Sequence, residues 1–326
     1  MRMCADRRKT AGCAHLTSNR AFIAWDAPNR DCCKVQRAAN RDEEKEFNVD
    51  MNIKDIREEM ALLTDVTPLE GERYAACLHT YETASNQREL ILGWFTDHVI
   101  PQLSTDSASF LSVGCGAGDL DVKILAAGKE HASTISYVGL EPDSRQYEKF
   151  ISRMELESDR DTWVEACNTR FEQFTGQRRF DLVLMVHSLY YMDDPEWALD
   201  NALKLVSESG RLVILIASND TLNELSSSFW RMENGGSTWF SEDLSMHLEK
   251  RGVAFERQRI EATLDITSCC EPDSEQGNRI ADFVAQVPTG ELPPRLRQMI
   301  FSYLEATSQR DGDMRWLPHN VDAFII

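Results

Sequence analysis

Three glycines alternate in the run Val113-Gly114-Cys115-Gly116-Ala117-Gly118-Asp119, and an acid, Glu141, follows 23 residues after Gly118. An apolar run precedes the glycines and a helical pattern follows them, which is the setting of a nucleotide-binding turn. Glycine lets the backbone turn tightly and approach a ligand where a Cβ would clash. An acid at the end of the next strand is placed to accept hydrogen bonds from ribose hydroxyls. The dinucleotide pattern Gly-x-Gly-x-x-Gly is absent, because the third glycine comes one residue early. That spacing is the one used for S-adenosyl-L-methionine, which brings no pyrophosphate to the helix N-terminus. Gly114, Gly116, Gly118 and Glu141 are therefore cofactor-binding candidates, and methyl transfer is the chemistry they point to. A dehydrogenase is the runner-up from a different reaction class.

The elements that must position these residues alternate in type. Helical spacing begins near residue 48, with Ile53, Ile56, Met60 and Leu63 on one face. Further helices are expected over 71–81 and 86–99, the last stopping before Pro101. Strands are expected at 110–113, 135–140, 162–166, 180–186 and 211–217, with helices at 119–127, 144–156 and 195–206 between them. Asp194 followed by Pro195 is a helix start. Another helix, capped by Ser241, runs to Gly252, and 255–266 and 322–326 read as two last strands. The pattern predicts an α/β fold: a Rossmann-like, doubly wound, mostly parallel sheet of about seven strands with an N-terminal helical cap. Residues 48–105 would form the cap, contributing to the substrate pocket, and 106–326 the core.

The whole chain of 326 residues carries 35 basic and 54 acidic side chains, a formal charge of -19. That sign disfavours nucleic acid or an anionic membrane as partner. It suits a cationic small molecule, although acidity also serves solubility. Residues 1–47 differ: positions 1–41 hold nine Lys or Arg against three Asp. This segment reads as a disordered basic extension, with an organelle transit peptide or a later start at Met51 or Met60 as alternatives. Nine scattered cysteines show no zinc spacing, so no metal is expected. Free thiols and the lack of a secretory signal point to the cytoplasm, and a self-contained sheet with short loops to a monomer.

The chain resembles histamine N-methyltransferase over residues 70–326. The likeness is carried by Leu111-Ser112-Val113-Gly114-Cys115-Gly116-Ala117-Gly118-Asp119-Leu120-Asp121, Glu141-Pro142, Ser188-Leu189-Tyr190-Tyr191, Thr263-Leu264-Asp265-Ile266 and the terminal His319-Asn320-Val321-Asp322-Ala323-Phe324-Ile325-Ile326. The resemblance implies S-adenosyl-L-methionine as cofactor, with Gly114 against it and Glu141 on its ribose. It further implies that Gln146 contacts the adenosine, that Val186 is an apolar contact, and that Asn168 and Thr169 flank the adenine. On the acceptor side, Asn320 would bind a small amine or imidazole and Tyr190 and Tyr191 would line the pocket, where ring faces attract a cation. His187 stands where the family has Gln. Gln87 stands where the family has an acid that engages histamine, with Glu89 two residues later as the alternative match.

A sulfonium methyl is already activated, so the protein's task is to hold a neutral nucleophile in line with it. Gln87, Asn320, Tyr190 and Tyr191 would then position the acceptor. His187 is the one nearby candidate for a general base, and a hydrogen-bonded packing residue is the competing reading. Loss of the acid at position 87 leaves three functional readings: an amine or imidazole N-methyltransferase, a methyltransferase for another nitrogen, oxygen or sulfur acceptor, and a binding protein without turnover.

Overall fold

Strands that are apolar on both faces need helices on both sides, and the central strands here are of that kind. In the computed structural model, described for residues 52–63, 66–234 and 239–326, five strands run parallel: β1 (Ser107–Val113), β2 (Thr134–Leu140), β3 (Thr162–Cys167), β4 (Phe180–Val186) and β5 (Val206–Ala217). The sheet is completed by β6 (Glu256–Ile260) and by the terminal β10 (Val321–Ile325), antiparallel to both β5 and β6. The order is β3-β2-β1-β4-β5-β10-β6, the expected Rossmann-like sheet of seven strands. A second, three-stranded antiparallel sheet joins β7 (Thr263–Asp265), β9 (Met314–Pro318) and β8 (Gln309–Asp311).

The expected strand at 255–266 is two strands in two sheets. The chain leaves the main sheet at Glu261-Ala262, where Asn320 Oδ1 accepts from the Ala262 N–H at 3.2 Å and the Ala262 carbonyl accepts from the His319 N–H at 2.7 Å. β7 then pairs with β9 instead of β10. An apolar run cannot tell which partner claims each half.

The helices are α1 (Ile53–Met60), α2 (Gly71–Thr83), α3 (Gln87–Trp94), α4 (Asp121–His131), α5 (Ser144–Met154), α6 (Pro195–Lys204), α7 (Thr221–Asn234), α8 (Ser241–Arg251), α9 (Glu275–Ala285) and α10 (Pro294–Thr307). Asp194 caps α6 by accepting from the Trp197 N–H, as its sequence position predicts. The helix of 86–99 does not end before Pro101: α3 continues through a π turn, Phe95–Val99, into a 3₁₀ turn, Ile100–Gln102. Proline is tolerated at the start of such a turn because its missing N–H has no partner to lose there. Ser241 opens α8 without capping it. Its hydroxyl goes to Asp322, and Asp243 takes the Phe240 N–H at 2.9 Å instead.

Three apolar clusters result. One face of the sheet buries Phe110, Tyr137, Phe150, Ile124 and Phe95, and the other Leu111, Val138, Leu199 and Leu244. The third cluster joins Ile56, Met60 and Tyr81 of the N-terminal helices to Phe229, Ile280, Ile300 and Leu317. The helical layer therefore draws on α7, α9 and α10 as well as on the segment 48–105 read as the cap. Residues 1–47, read as a basic extension, lie outside the described residues. Among the described residues no helix is long and apolar enough to cross a membrane.

Asp322 ties β10 to its neighbours. The carboxylate is 1% exposed, takes Arg259 Nε at 2.9 Å and Nη2 at 3.0 Å, and also accepts from Arg257 at 2.6 Å and from the Ser241 hydroxyl at 2.6 Å. Burial pushes this carboxyl up, but the hydrogen bonds from Arg259, Ser241 and Arg257 outweigh it and hold it below the usual range. Its contribution is present above the unfolded value of about 3.9 and is lost as the pH falls through the folded value. Asp322→Ala is expected to lower the unfolding free energy at pH 7 by roughly 2–4 kcal/mol. In urea titrations the deficit should shrink below about pH 4. An unchanged midpoint at pH 7 would show that the cluster is not needed for stability.

Candidate active site

The sheet order reverses between β1 and β4, and ligands of open α/β sheets bind where strand order reverses, at the carboxyl ends of the strands. The turn after β1 adopts left-handed backbone at Gly114 (φ +71°), Gly116 (φ +58°) and Gly118 (φ +77°). Gly114 and Cys115 donate to the Leu140 carbonyl at 2.9 and 3.1 Å, tying the turn to the end of β2. Space forbids a side chain at two of these positions. A Cβ on Gly114 would lie 2.6 Å from Ser188 Cβ, and one on Gly118 would lie 2.9 Å from the Phe150 ring.

Glu141 follows β2 and is 8% exposed. One carboxylate oxygen accepts from the Gly116 N–H at 2.9 Å and the other from the Asp143 N–H at 2.9 Å. Burial raises this carboxyl, and the two N–H bonds offset part of the rise. A carboxylate has about four acceptor positions, so two lone-pair directions are left over by the loop. Asn168, beyond β3, donates its amide to the Glu141 and Pro142 carbonyls at 2.8 and 3.0 Å, bracing that turn. Thr169 is half-buried and its hydroxyl goes to the Arg170 carbonyl at 3.3 Å. Gln146 sits half-buried in the first turn of α5, its N–H held by Asp143. Gly114, Gly116, Gly118, Glu141, Gln146, Asn168 and Thr169 thus share the carboxyl edge of β1, β2 and β3.

At the tip of β4, Val186 is half-buried and His187 turns the chain with φ +51°. A left-handed histidine is uncommon and costs on the order of 1 kcal/mol. Its N–H bonds the Leu215 carbonyl at 2.9 Å. The imidazole lies between two partners: Nε2 is 2.8 Å from Gln87 Oε1, and Nδ1 is 3.2 Å from the Tyr190 hydroxyl. Gln87 is 5% exposed, and its amide nitrogen donates to the His319 carbonyl at 2.7 Å. Its oxygen can only accept, so His187 carries its proton on Nε2. The Tyr190 hydroxyl accepts from the Ala217 N–H and donates to Nδ1. His319 is held in turn by the Ser85 hydroxyl at 2.7 Å and the Tyr81 hydroxyl at 2.8 Å.

Both histidines are kept neutral. Burial, aided by the charge of Arg88, lowers His187 to about 4, and burial with the proximity of His187 lowers His319 to about 3. Gln87 rather than Glu89 faces this wall, since Glu89 is exposed. Asn320 is half-buried and its oxygen is occupied by the Ala262 N–H. Tyr190 stacks on His187 with ring centroids 6.0 Å apart. Tyr191 stands at the rim, 53% exposed, with its hydroxyl 3.2 Å from that of Tyr74 on α2. Sequence reasoning missed Ser85, Tyr81, Ser188 and the part played by His319. The position of His319 beside Asn320 was the available signal for the last.

Two outcomes follow. Gly114→Ala combines a left-handed φ with a clash against Ser188, and should cost roughly 2–4 kcal/mol in urea unfolding. The unfolded chain protonates histidine below about pH 6.5, whereas folded His187 and His319 stay neutral to about 4 and 3. Stability is therefore lost as the pH falls below about 6.5, by at most about 1.4 kcal/mol per pH unit for each histidine. Urea midpoints measured from pH 7 to 5 should drop in the wild type and drop less in His187→Gln; equal slopes would mean His187 is not buried neutral.

Comparison with known proteins bears on this geometry. The family described as "Methyltransferase domain" matches residues 84–257. Histamine N-methyltransferase of Danio rerio is 24% identical over 237 residues, covering 66% of this chain and 80% of that protein. The Bos taurus enzyme of the same name is 24% identical over 242 residues, with the same two coverages. Among solved structures, the plantazolicin methyltransferase BpumL in complex with SAH matches 84% of this chain and 96% of its own, at 12% identity and a TM-score of 0.44.

Proposed function

We propose an acceptor and a set of site roles from one premise: this chain belongs to the methyltransferase-domain family and is an S-adenosylmethionine-dependent methyltransferase. The acceptor we assign is a small molecule with an uncharged nitrogen nucleophile, an imidazole or amine of the kind named for the histamine N-methyltransferases it is similar to. The observation that carries this reading is the neutral hydrogen-bonded wall of buried Gln87 and half-buried His187 and Tyr190 beside the glycine turn.

The residues present fit the cofactor. Gly116 has open space where a Cβ would stand, and Glu141 is clamped with acceptor capacity to spare. Glu141 would hold the ribose, with Gln146, Asn168 and Thr169 beside the adenine and Val186 as an apolar contact. When bound, the cofactor would supply an electrophilic sulfonium methyl, whose carbon bonds in line to the acceptor lone pair as its bond to sulfur breaks and the thioether leaves. The protein's part is orientation and exclusion of water, which can be worth roughly 7–11 kcal/mol of barrier.

His187 supports the reaction by position. Its one basic nitrogen already takes the Tyr190 proton, and its low pKa leaves it a poor base at neutral pH. With Asn320 and the ring of Tyr190 it would form the wall against which the acceptor lies. Gln87 offers a dipole where the family has an acid, so the wall should prefer a neutral imidazole or amine to one needing a carboxylate counter-ion.

Purified protein incubated with S-adenosylmethionine and a panel of small imidazoles, amines, phenols and thiols should form S-adenosylhomocysteine with nitrogen acceptors. Turnover confined to phenols or thiols would overturn the acceptor class and leave the methyltransferase standing. For His187→Gln we expect kcat/KM against pH to keep its shape, because no titration of His187 falls between about pH 5 and 9. Disappearance of an inflection in that window would restore a base role to His187.

A further inference from the structure

The side chain of Ser188 is not accounted for by any of these contacts. It is 5% exposed, and its hydroxyl oxygen is buried without a hydrogen-bond partner among the described residues. Such a group costs stability unless something outside the chain satisfies it. The orphan lies at the point where the sheet order reverses. The left-handed turn at His187 carries Ser188 onto the glycine turn, with its Cβ 2.6 Å and its Oγ 3.5 Å from where a side chain on Gly114 would begin.

We propose that the Ser188 hydroxyl binds the charged amino-acid end of S-adenosylmethionine. The inference rests on the cofactor reading given above. It follows from the order of the strands. Glu141, Gln146, Asn168 and Thr169 stand on the β2 and β3 side, and Ser188 stands beyond β1 on the β4 side, two strand spacings or about 10 Å away. A nucleoside held at Glu141 must therefore extend its other end past Gly114 toward Ser188. That end carries a carboxylate and an ammonium, and a hydroxyl can donate to the first or accept from the second. The same displacement keeps the acceptor wall apart, since His187 precedes Ser188 and turns its ring the other way, to Gln87.

The test uses binding and melting rather than turnover. Dissociation constants of S-adenosylhomocysteine and of 5′-methylthioadenosine, which lacks the amino-acid end, would be measured by calorimetry for the wild type, Ser188→Ala and Ser188→Cys. We expect Ser188→Ala to weaken S-adenosylhomocysteine by roughly ten- to a hundredfold and to leave methylthioadenosine unchanged, with Ser188→Cys between. Without ligand, the Tm of Ser188→Ala should equal or exceed that of the wild type, because an unsatisfied hydroxyl has been removed. Equal weakening of both ligands, or a lower Tm without ligand, would make Ser188 a packing residue of the glycine turn and overturn the assignment. Unchanged binding of both ligands would overturn it as well. Failure of the wild type to bind S-adenosylhomocysteine would remove the cofactor reading itself, an outcome distinct from the others.

Discussion

The site depends on one close approach. β1 and β4 are neighbours in the sheet, and the turns that leave their carboxyl ends must pass within van der Waals contact before diverging to opposite faces. Gly114 makes this possible by lacking the atom that would strike Ser188, and His187 makes it happen by accepting a left-handed backbone. The approach leaves no room for a side chain at Gly114, so that Ser188 packs directly on the backbone of the turn. It also sends the chain after β4 in two directions at once: Ser188 toward the glycine turn, and the His187 ring toward α3.

Around His187 the governing feature is neutrality. Gln87 and the two histidines form a continuous path from Tyr81 through His319, Gln87 and His187 to Tyr190 and the backbone of Ala217. Burial makes an unpaired charge in such a path expensive, so each ring stays neutral, and Gln87 fixes the proton of His187 on Nε2. A glutamine suits this arrangement better than an acid would, because it must donate to one neighbour and accept from the other. An anion there could accept from His187 but could not donate to the His319 carbonyl.

The helical layer is coupled to this path rather than merely stacked on it. Tyr81 belongs at once to the apolar cluster of α1, α7, α9 and α10 and to the hydrogen bond on His319. His319 in turn begins the step from the small sheet into β10, where Asp322 gathers Arg257, Arg259 and Ser241. The helical layer, the Gln87–His187 pair and the far edge of the sheet are thus joined by a few polar contacts set in apolar surroundings, which makes their geometry specific.

What the sequence determined by itself is what neighbouring residues encode. The glycine turn, Glu141 at the next strand end, the Asp194-Pro195 helix start and the alternation of strands and helices are written in runs of a few residues, because turn sterics and capping act over that range. The structure decided what those rules cannot reach. Gln87 and Glu89 differ by two helical positions, about 200° of rotation, and only packing chose which one faces inward. His187 finds Gln87 across 100 residues, and Gln87 finds the His319 carbonyl across 232. The run at 255–266 was divided between two sheets by Asn320 and His319, far along the chain. Hydrogen-bond partners at such separations are set by the closure of the whole fold, and the orphaned hydroxyl of Ser188 becomes visible only once that closure has placed it against Gly114.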